Sequence, residues 1–129
     1  MPELPPANPP TRGRLARSFG YAFRGVRAMV VTQANARLHL GATVAVLVLG
    51  FVLELARWEW CAIVGAIGLV WAVEGVNTAL EAVVDLASPQ QHPLAGRAKD
   101  IAAGAVLCAA ISAAIVGAVI FLPKLAAWF

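Results

Sequence analysis

Glu74-Gly-Val-Asn-Thr-Ala-Leu-Glu81-Ala-Val-Val-Asp85 is the stretch that decides how the rest of this chain is read. It closes an apolar run that starts at Trp60 and continues through polar interruptions to Leu86, and a membrane-spanning helix needs about 20 residues. On a helix, offsets of three, four, seven and eleven residues bring Glu74, Asn77, Thr78, Glu81 and Asp85 to one face. An ionised side chain at bilayer depth is costly unless it finds partners, so carboxylates sharing a face there predict a polar site with a function.

Working outward, Ser88, Pro89 and Pro93 break the chain and predict a short loop from about Leu86 to Ala95. Ile101 to Leu122 then forms a second apolar stretch, long enough to span alone, in which recurring Ala and Gly permit close helix contact. Upstream, Leu40 to Leu53 spans if its flanks are allowed some polar residues. Overall composition agrees: 60% of the 129 residues are hydrophobic and 13% charged, against roughly 25% charged in a soluble domain. Strand-like alternation is missing, so the expected fold is an all-α membrane protein with three transmembrane helices. Cys61 and Cys108 lie inside the apolar stretches without metal-ligand spacing and read as small apolar side chains.

Between Thr11 and Val31, Leu15, Phe19, Ala22, Phe23, Val26, Met29 and Val30 share one sector of a helical wheel, and Arg14, Arg17, Arg24 and Arg27 occupy the other. That division predicts an amphipathic helix lying on the membrane surface. The expected organisation is a disordered proline-rich tail over 1–10, the surface helix over 11–36 and a three-span domain over 37–129. The tail lacks the apolar core of a signal peptide, so no cleavage is expected. The net charge of +3 comes from clustered arginines; beside lipid-length helices their expected partner is an anionic headgroup and not nucleic acid. Six arginines precede the first span, only Arg57 lies in the next loop, and Arg97 and Lys99 follow the second. The positive-inside rule therefore places the N-terminus and the polar row on the cytoplasmic side of a bacterial inner membrane, and the C-terminus outside. Lys124 counts against that orientation; Trp58, Trp60 and Trp128, at the outer interface, fit it.

With the second span running inward, Asp85 lies near the cytoplasmic surface and Glu74 about 16 Å deeper. Arg37 and His39 before the first span, and Arg97, Lys99 and Asp100 at the start of the third, bring polar groups to the same leaflet. Carboxylates and amide oxygens near the surface can hold Mg²⁺, a lysine can meet phosphate, and a deeper carboxylate can take a proton from a hydroxyl. Phosphoryl transfer needs that division of labour. The competing reading is that Glu74, Glu81 and Asp85 pair with Arg37, Arg97 and Lys99 simply to hold the helices together.

Glu74-x-x-Asn77-Thr78-Ala-x-Glu81-Ala-Val-Val-Asp85, then His92-Pro-Leu-Ala-Gly-Arg97-Ala-Lys99-Asp100 and Ala-Gly-Ala-Val at 103–106, resemble the prokaryotic diacylglycerol kinase family, which includes undecaprenol kinases. Gly20-Tyr21-Ala-Phe-x-Gly25 and Asn35-x-Arg37-x-His39 extend the resemblance over roughly Arg14 to Leu122. It implies a homotrimer with active sites between subunits, using MgATP and a membrane lipid acceptor. By motif position Glu74 is the implied general base and Glu81 a metal ligand. Asn77, Asp85, His92, Lys99 and Asp100 line the implied nucleotide end, with Arg14 and Tyr21 reaching it from the surface helix.

One position departs from that pattern. Where the family usually has a glutamate as second metal ligand, two residues before Asn35, this chain has Gln33. Its amide oxygen can coordinate Mg²⁺ but brings no charge, so activity at a raised magnesium requirement is expected. Asn35-x-Arg37-x-His39 and Arg57-x-Glu59-Trp60 look more like the undecaprenol-kinase branch. Two other functions compete: a proton-coupled transporter, which needs ionisable groups in the outer half of the spans as well, and a non-catalytic membrane subunit, to which Gln33 lends weight.

Overall fold

A computed structural model of the chain describes residues 11–90 and 92–128. The proline-rich segment 1–10 lies outside the described residues. These form four helices and no strand: α1 (Thr11–Thr32), α2 (Ala34–Val52), α3 (Arg57–Ala87) and α4 (Pro93–Ala126). The last three are each long and apolar enough to cross a membrane. At 31 and 34 residues, α3 and α4 measure about 46 and 51 Å, well beyond a hydrocarbon core of about 30 Å. Their polar ends therefore reach past the apolar layer.

Each break has a local cause. Gln33 adopts an extended conformation (φ −102°, ψ 123°) between α1 and α2, while its N–H still bonds the Met29 carbonyl at 2.9 Å and its own carbonyl accepts from Arg37 N at 3.4 Å. A single residue thus forms the joint, and the surface helix ends at Thr32, one residue past the amphipathic pattern and short of the expected boundary at residue 36. Arg37 braces this joint by donating to the Val31 carbonyl at 3.1 Å. Between α3 and α4, Pro93 opens α4 with its φ already helical, and the His92 ring caps that helix by accepting from Leu94 N at 3.1 Å.

The α2–α3 connection is tighter. Glu54 sits at φ 48°, the left-handed region that a non-glycine residue enters only at a cost. Gly50 lets the helices meet: a Cβ there would stand 2.8 Å from the Trp60 ring, and Phe51 packs on the same indole with centroids 4.8 Å apart. Behind this turn Leu53, Leu55, Ile63, Ile120 and Phe121 form a buried cluster joining α2, α3 and α4.

α3 and α4 are the main antiparallel pair, and α1 and α2 touch the bundle more lightly. Met29, in the last turn of α1, is buried and approaches α3 beside Gly75. The rest of the apolar stripe of α1, Leu15 to Val26, is exposed, as are Val44, Val48, Leu107, Ile111 and Ile115 on the spanning helices. The bundle therefore has two unlike ends. The distal end holds the α2–α3 turn and the close of α4; the proximal end holds the α1–α2 joint and the α3–α4 turn.

Candidate active site

The polar row of α3 opens toward the proximal end. Glu74 is the most enclosed large side chain described, only 1% exposed, and its Oε2 has no hydrogen-bond partner among the described residues. One turn on, Asn77 is buried; its amide nitrogen donates to Glu81 Oε1 at 3.4 Å, while its Oδ1 has no partner among the described residues. Gln33, at the α1–α2 joint, donates from Nε2 to the other Glu81 oxygen at 3.3 Å. Thr78 turns back to its own helix, donating to the Glu74 carbonyl at 2.9 Å.

A buried oxygen without a donor forfeits its hydration and costs free energy, and native interiors leave few such groups. Two of them one turn apart, next to a carboxylate held only by two long amide contacts, make a pocket of oxygen acceptors short of positive charge. Oxygen donors of this kind suit Mg²⁺, which takes one or two carboxylates from protein and fills its octahedron with water and phosphate oxygens. The described residues contain no group of three His, Cys, Asp or Glu side chains able to hold a metal unaided.

Nearer the proximal surface Asp85 accepts from Lys99 at 2.6 Å, linking α3 to α4. The carboxylate is 66% exposed and the ammonium 36%, so solvent screens the pair and it contributes little to stability. Both line a cavity of about 480 Å³ together with Ser88, Gln90, His92 and Gly96. The ammonium and the imidazole stand at its rim, where an anionic ligand would find them.

The structure therefore brings together Gln33, Glu74, Asn77 and Glu81 in one cluster and Asp85, His92 and Lys99 in an adjoining cavity. It does not join Arg14, Tyr21 or Asp100 to either by a hydrogen bond or ion pair among the described residues. Arg14 and Asp100 are exposed, and the Tyr21 ring carries the Arg24 guanidinium at 4.6 Å. The interhelix ion pairing that competes with catalysis is realised for Asp85 alone: Arg37 is spent on a backbone carbonyl, and neither Glu74 nor Glu81 has an ion-pair partner among the described residues. A polar link that the sequence reading passed over ties Trp71 to Thr43 one turn deeper than Glu74. Its signal was a tryptophan in mid-span, away from the interfaces that indoles favour.

Comparison with known proteins gives one consistent answer. A family model described as prokaryotic diacylglycerol kinase matches residues 20–121. An undecaprenol kinase of Bacillus subtilis (strain 168) is 46% identical over 112 residues, which cover 87% of this chain and 91% of that protein. A diacylglycerol kinase of Synechocystis sp. is 47% identical over 109 residues, covering 84% of this chain and 62% of that protein. One from Escherichia coli (strain K12) is 35% identical over 102 residues, with coverages of 79% and 84%.

Proposed function

The chain belongs to the prokaryotic diacylglycerol kinase family, and from that membership we propose that it transfers the γ-phosphoryl group of MgATP to a lipid hydroxyl, undecaprenol ahead of diacylglycerol. The coarser statement, a multi-pass bacterial membrane lipid kinase, follows from the family and the three apolar helices. The observation that supports the phosphoryl-transfer step is Glu74, a buried carboxylate with an oxygen unpartnered among the described residues, on a membrane-length helix.

In this reading the acceptor hydroxyl gives its proton to Glu74 Oε2 as its oxygen bonds the γ-phosphorus. The bond from that phosphorus to the β,γ-bridging oxygen breaks, and ADP leaves with the electron pair. Burial keeps the carboxylate from being solvated by water, so the incoming hydroxyl is the donor its oxygen lacks. Glu81 and the Gln33 amide oxygen, once that amide turns over from the N–H contact it makes with Glu81 here, would hold Mg²⁺, which when bound neutralises charge on the β- and γ-phosphates, with Asn77 at the nucleotide end. Lys99 and His92 meet phosphate oxygens at the adjoining cavity, where Asp85 holds the lysine in place. Asp100 belongs to the same nucleotide end.

Arg14 and Tyr21 complete the nucleotide site in a homotrimer, where a neighbouring subunit closes what a single chain leaves open. The outward-facing apolar residues of α2 and α4 supply surface for such packing as well as for lipid. The arginine distribution favours the inner membrane, with the N-terminus and the proximal end in the cytoplasm and the C-terminus outside.

The undecaprenol preference rests on the Asn35-x-Arg37-x-His39 and Arg57-x-Glu59-Trp60 motifs and on coverage of nearly all of the B. subtilis undecaprenol kinase. Diacylglycerol is the second reading, favoured by equal identity to the Synechocystis protein. Both are tested by supplying purified protein in lipid with labelled ATP and each alcohol in turn, Glu74→Gln serving as control. Label is expected on undecaprenol first and on neither lipid with the variant; faster labelling of diacylglycerol reverses the preference, and transfer indifferent to Glu74 defeats the base assignment.

A further inference from the structure

Trp71 sits one turn deeper along α3 than Glu74. Its indole Nε1 donates to Thr43 Oγ1 on α2 at 3.0 Å, and the same hydroxyl donates to the His39 carbonyl at 2.7 Å. Thr43 is therefore used both as donor and as acceptor, and the indole N–H is satisfied where no water would serve it.

The other side-chain link between these segments among the described residues joins Gln33, at the N-terminus of α2, to Glu81. Positions 33 and 43 are ten residues apart, and so are 81 and 71 on α3. The two links thus obey one antiparallel register, about 15 Å apart along the helices. Glu74 falls between them. The Gln33 link belongs to the phosphoryl-transfer cluster; the Thr43 link has no part in the chemistry proposed so far. It stands at the edge of an apolar groove of about 400 Å³ whose walls include Val46 on α2, Ile63 and Val70 on α3, and Ala113 on α4.

We propose that Thr43 and Trp71 are positioning residues for the acceptor lipid: their hydrogen bond fixes the spacing of α2 and α3 directly beneath Glu74. That spacing holds the carbons next to the acceptor hydroxyl, so that its oxygen arrives within hydrogen-bond reach of the carboxylate. The nucleotide, bound at the proximal cavity beyond Glu81, does not feel it. The inference rests on the lipid-kinase reading and adds a determinant of acceptor placement to it.

The test is steady-state kinetics with ATP and the lipid alcohol varied separately, on Thr43→Val, Thr43→Ser, Trp71→Phe and the Thr43→Val/Trp71→Phe double variant. Thr43→Val keeps the shape and removes the hydroxyl; it is expected to lower kcat/KM for the lipid about five- to tenfold while KM for ATP stays within about twofold. Thr43→Ser retains the acceptor and wild-type kinetics, and the double variant is no worse than the poorer single one. Unfolding temperatures measured alongside identify any variant that fails to fold; should Trp71→Phe do so, the Val and Ser variants decide alone. Lipid kinetics unchanged in Thr43→Val, or ATP and lipid parameters falling together, overturn the proposal while leaving the kinase reading intact. Failure of the wild-type protein to phosphorylate any lipid alcohol removes both.

Discussion

α3 carries two buried glutamates fifteen residues apart, one in its first turn at the distal end and one near mid-helix where the polar row begins, and their surroundings treat them oppositely. Glu59, at the distal end, is 7% exposed and engaged through Oε2, which accepts both from the Ala56 N–H at 2.7 Å, capping the helix, and from the Lys124 ammonium at 3.0 Å. Glu74 is more deeply enclosed and lacks a partner for one oxygen. The distal end is also packed tightly around Trp60 and the Leu53–Phe121 cluster, whereas the proximal end opens into a cavity edged by charge. Burial of a carboxylate therefore does not by itself mark a catalytic residue. What separates the two is partnering: Glu59 has a backbone N–H and an ammonium on Oε2, whereas no donor among the described residues reaches Glu74 Oε2.

The sharpest ways to probe this contrast differ in size. Removing the Glu81 carboxylate, which collects the Gln33 and Asn77 amides, is expected to lower lipid phosphorylation about a hundredfold, as loss of a group that would hold the phosphate-clamping metal does. A steeper magnesium dependence should accompany it, read from activity against Mg²⁺ concentration in Glu81→Ala. At the other end, Lys124→Met should leave activity near wild type but lower the unfolding temperature by several degrees, because it strips a charge partner from Glu59. A matching loss of activity at permissive temperature would erase the division between the two ends.

Smaller effects test the packing and the metal. Gly50→Ala pushes a methyl group against the Trp60 ring, and overpacking of this kind costs about 1–3 kcal/mol; thermal unfolding in detergent checks it, with kcat unaltered. The smallest change is expected from Gln33→Glu, which adds a charge beside Glu81 without altering shape. It should lower the magnesium concentration giving half-maximal activity by a few fold, and an unchanged dependence removes Gln33 from the metal site.

Much of this arrangement was legible in the sequence, for identifiable reasons. Spans announce themselves through length and hydropathy, and the row Glu74, Asn77, Glu81 follows from helical spacing, which local sequence dictates. The partners of those residues were not legible. Of the ion pairs that the sequence offered to this row, only how α3 lies against α4 selects Asp85–Lys99; Glu59–Lys124 was not foreseen, and Lys124 read from sequence was only an awkward charge near the outer end. The joint at Gln33 carries neither glycine nor proline nearby, so nothing in the sequence marked a break before residue 36, and the extended backbone of Gln33 shows where α1 stops. Trp71 counted as one more apolar residue until its N–H was seen to need a partner.

The most direct measurement places the same substitution, Glu to Gln, at positions 59 and 74 and reads lipid phosphorylation and thermal unfolding on both proteins. Glu74→Gln is expected to lose transfer by about two to four orders of magnitude, the range for a general base, with no loss of stability, since a poorly satisfied charge leaves the interior. Glu59→Gln should unfold earlier and still phosphorylate lipid at permissive temperature. Comparable transfer by the Glu74 variant, or a loss of stability in it that matches the Glu59 variant, would contradict the assignment of the unpartnered carboxylate to chemistry.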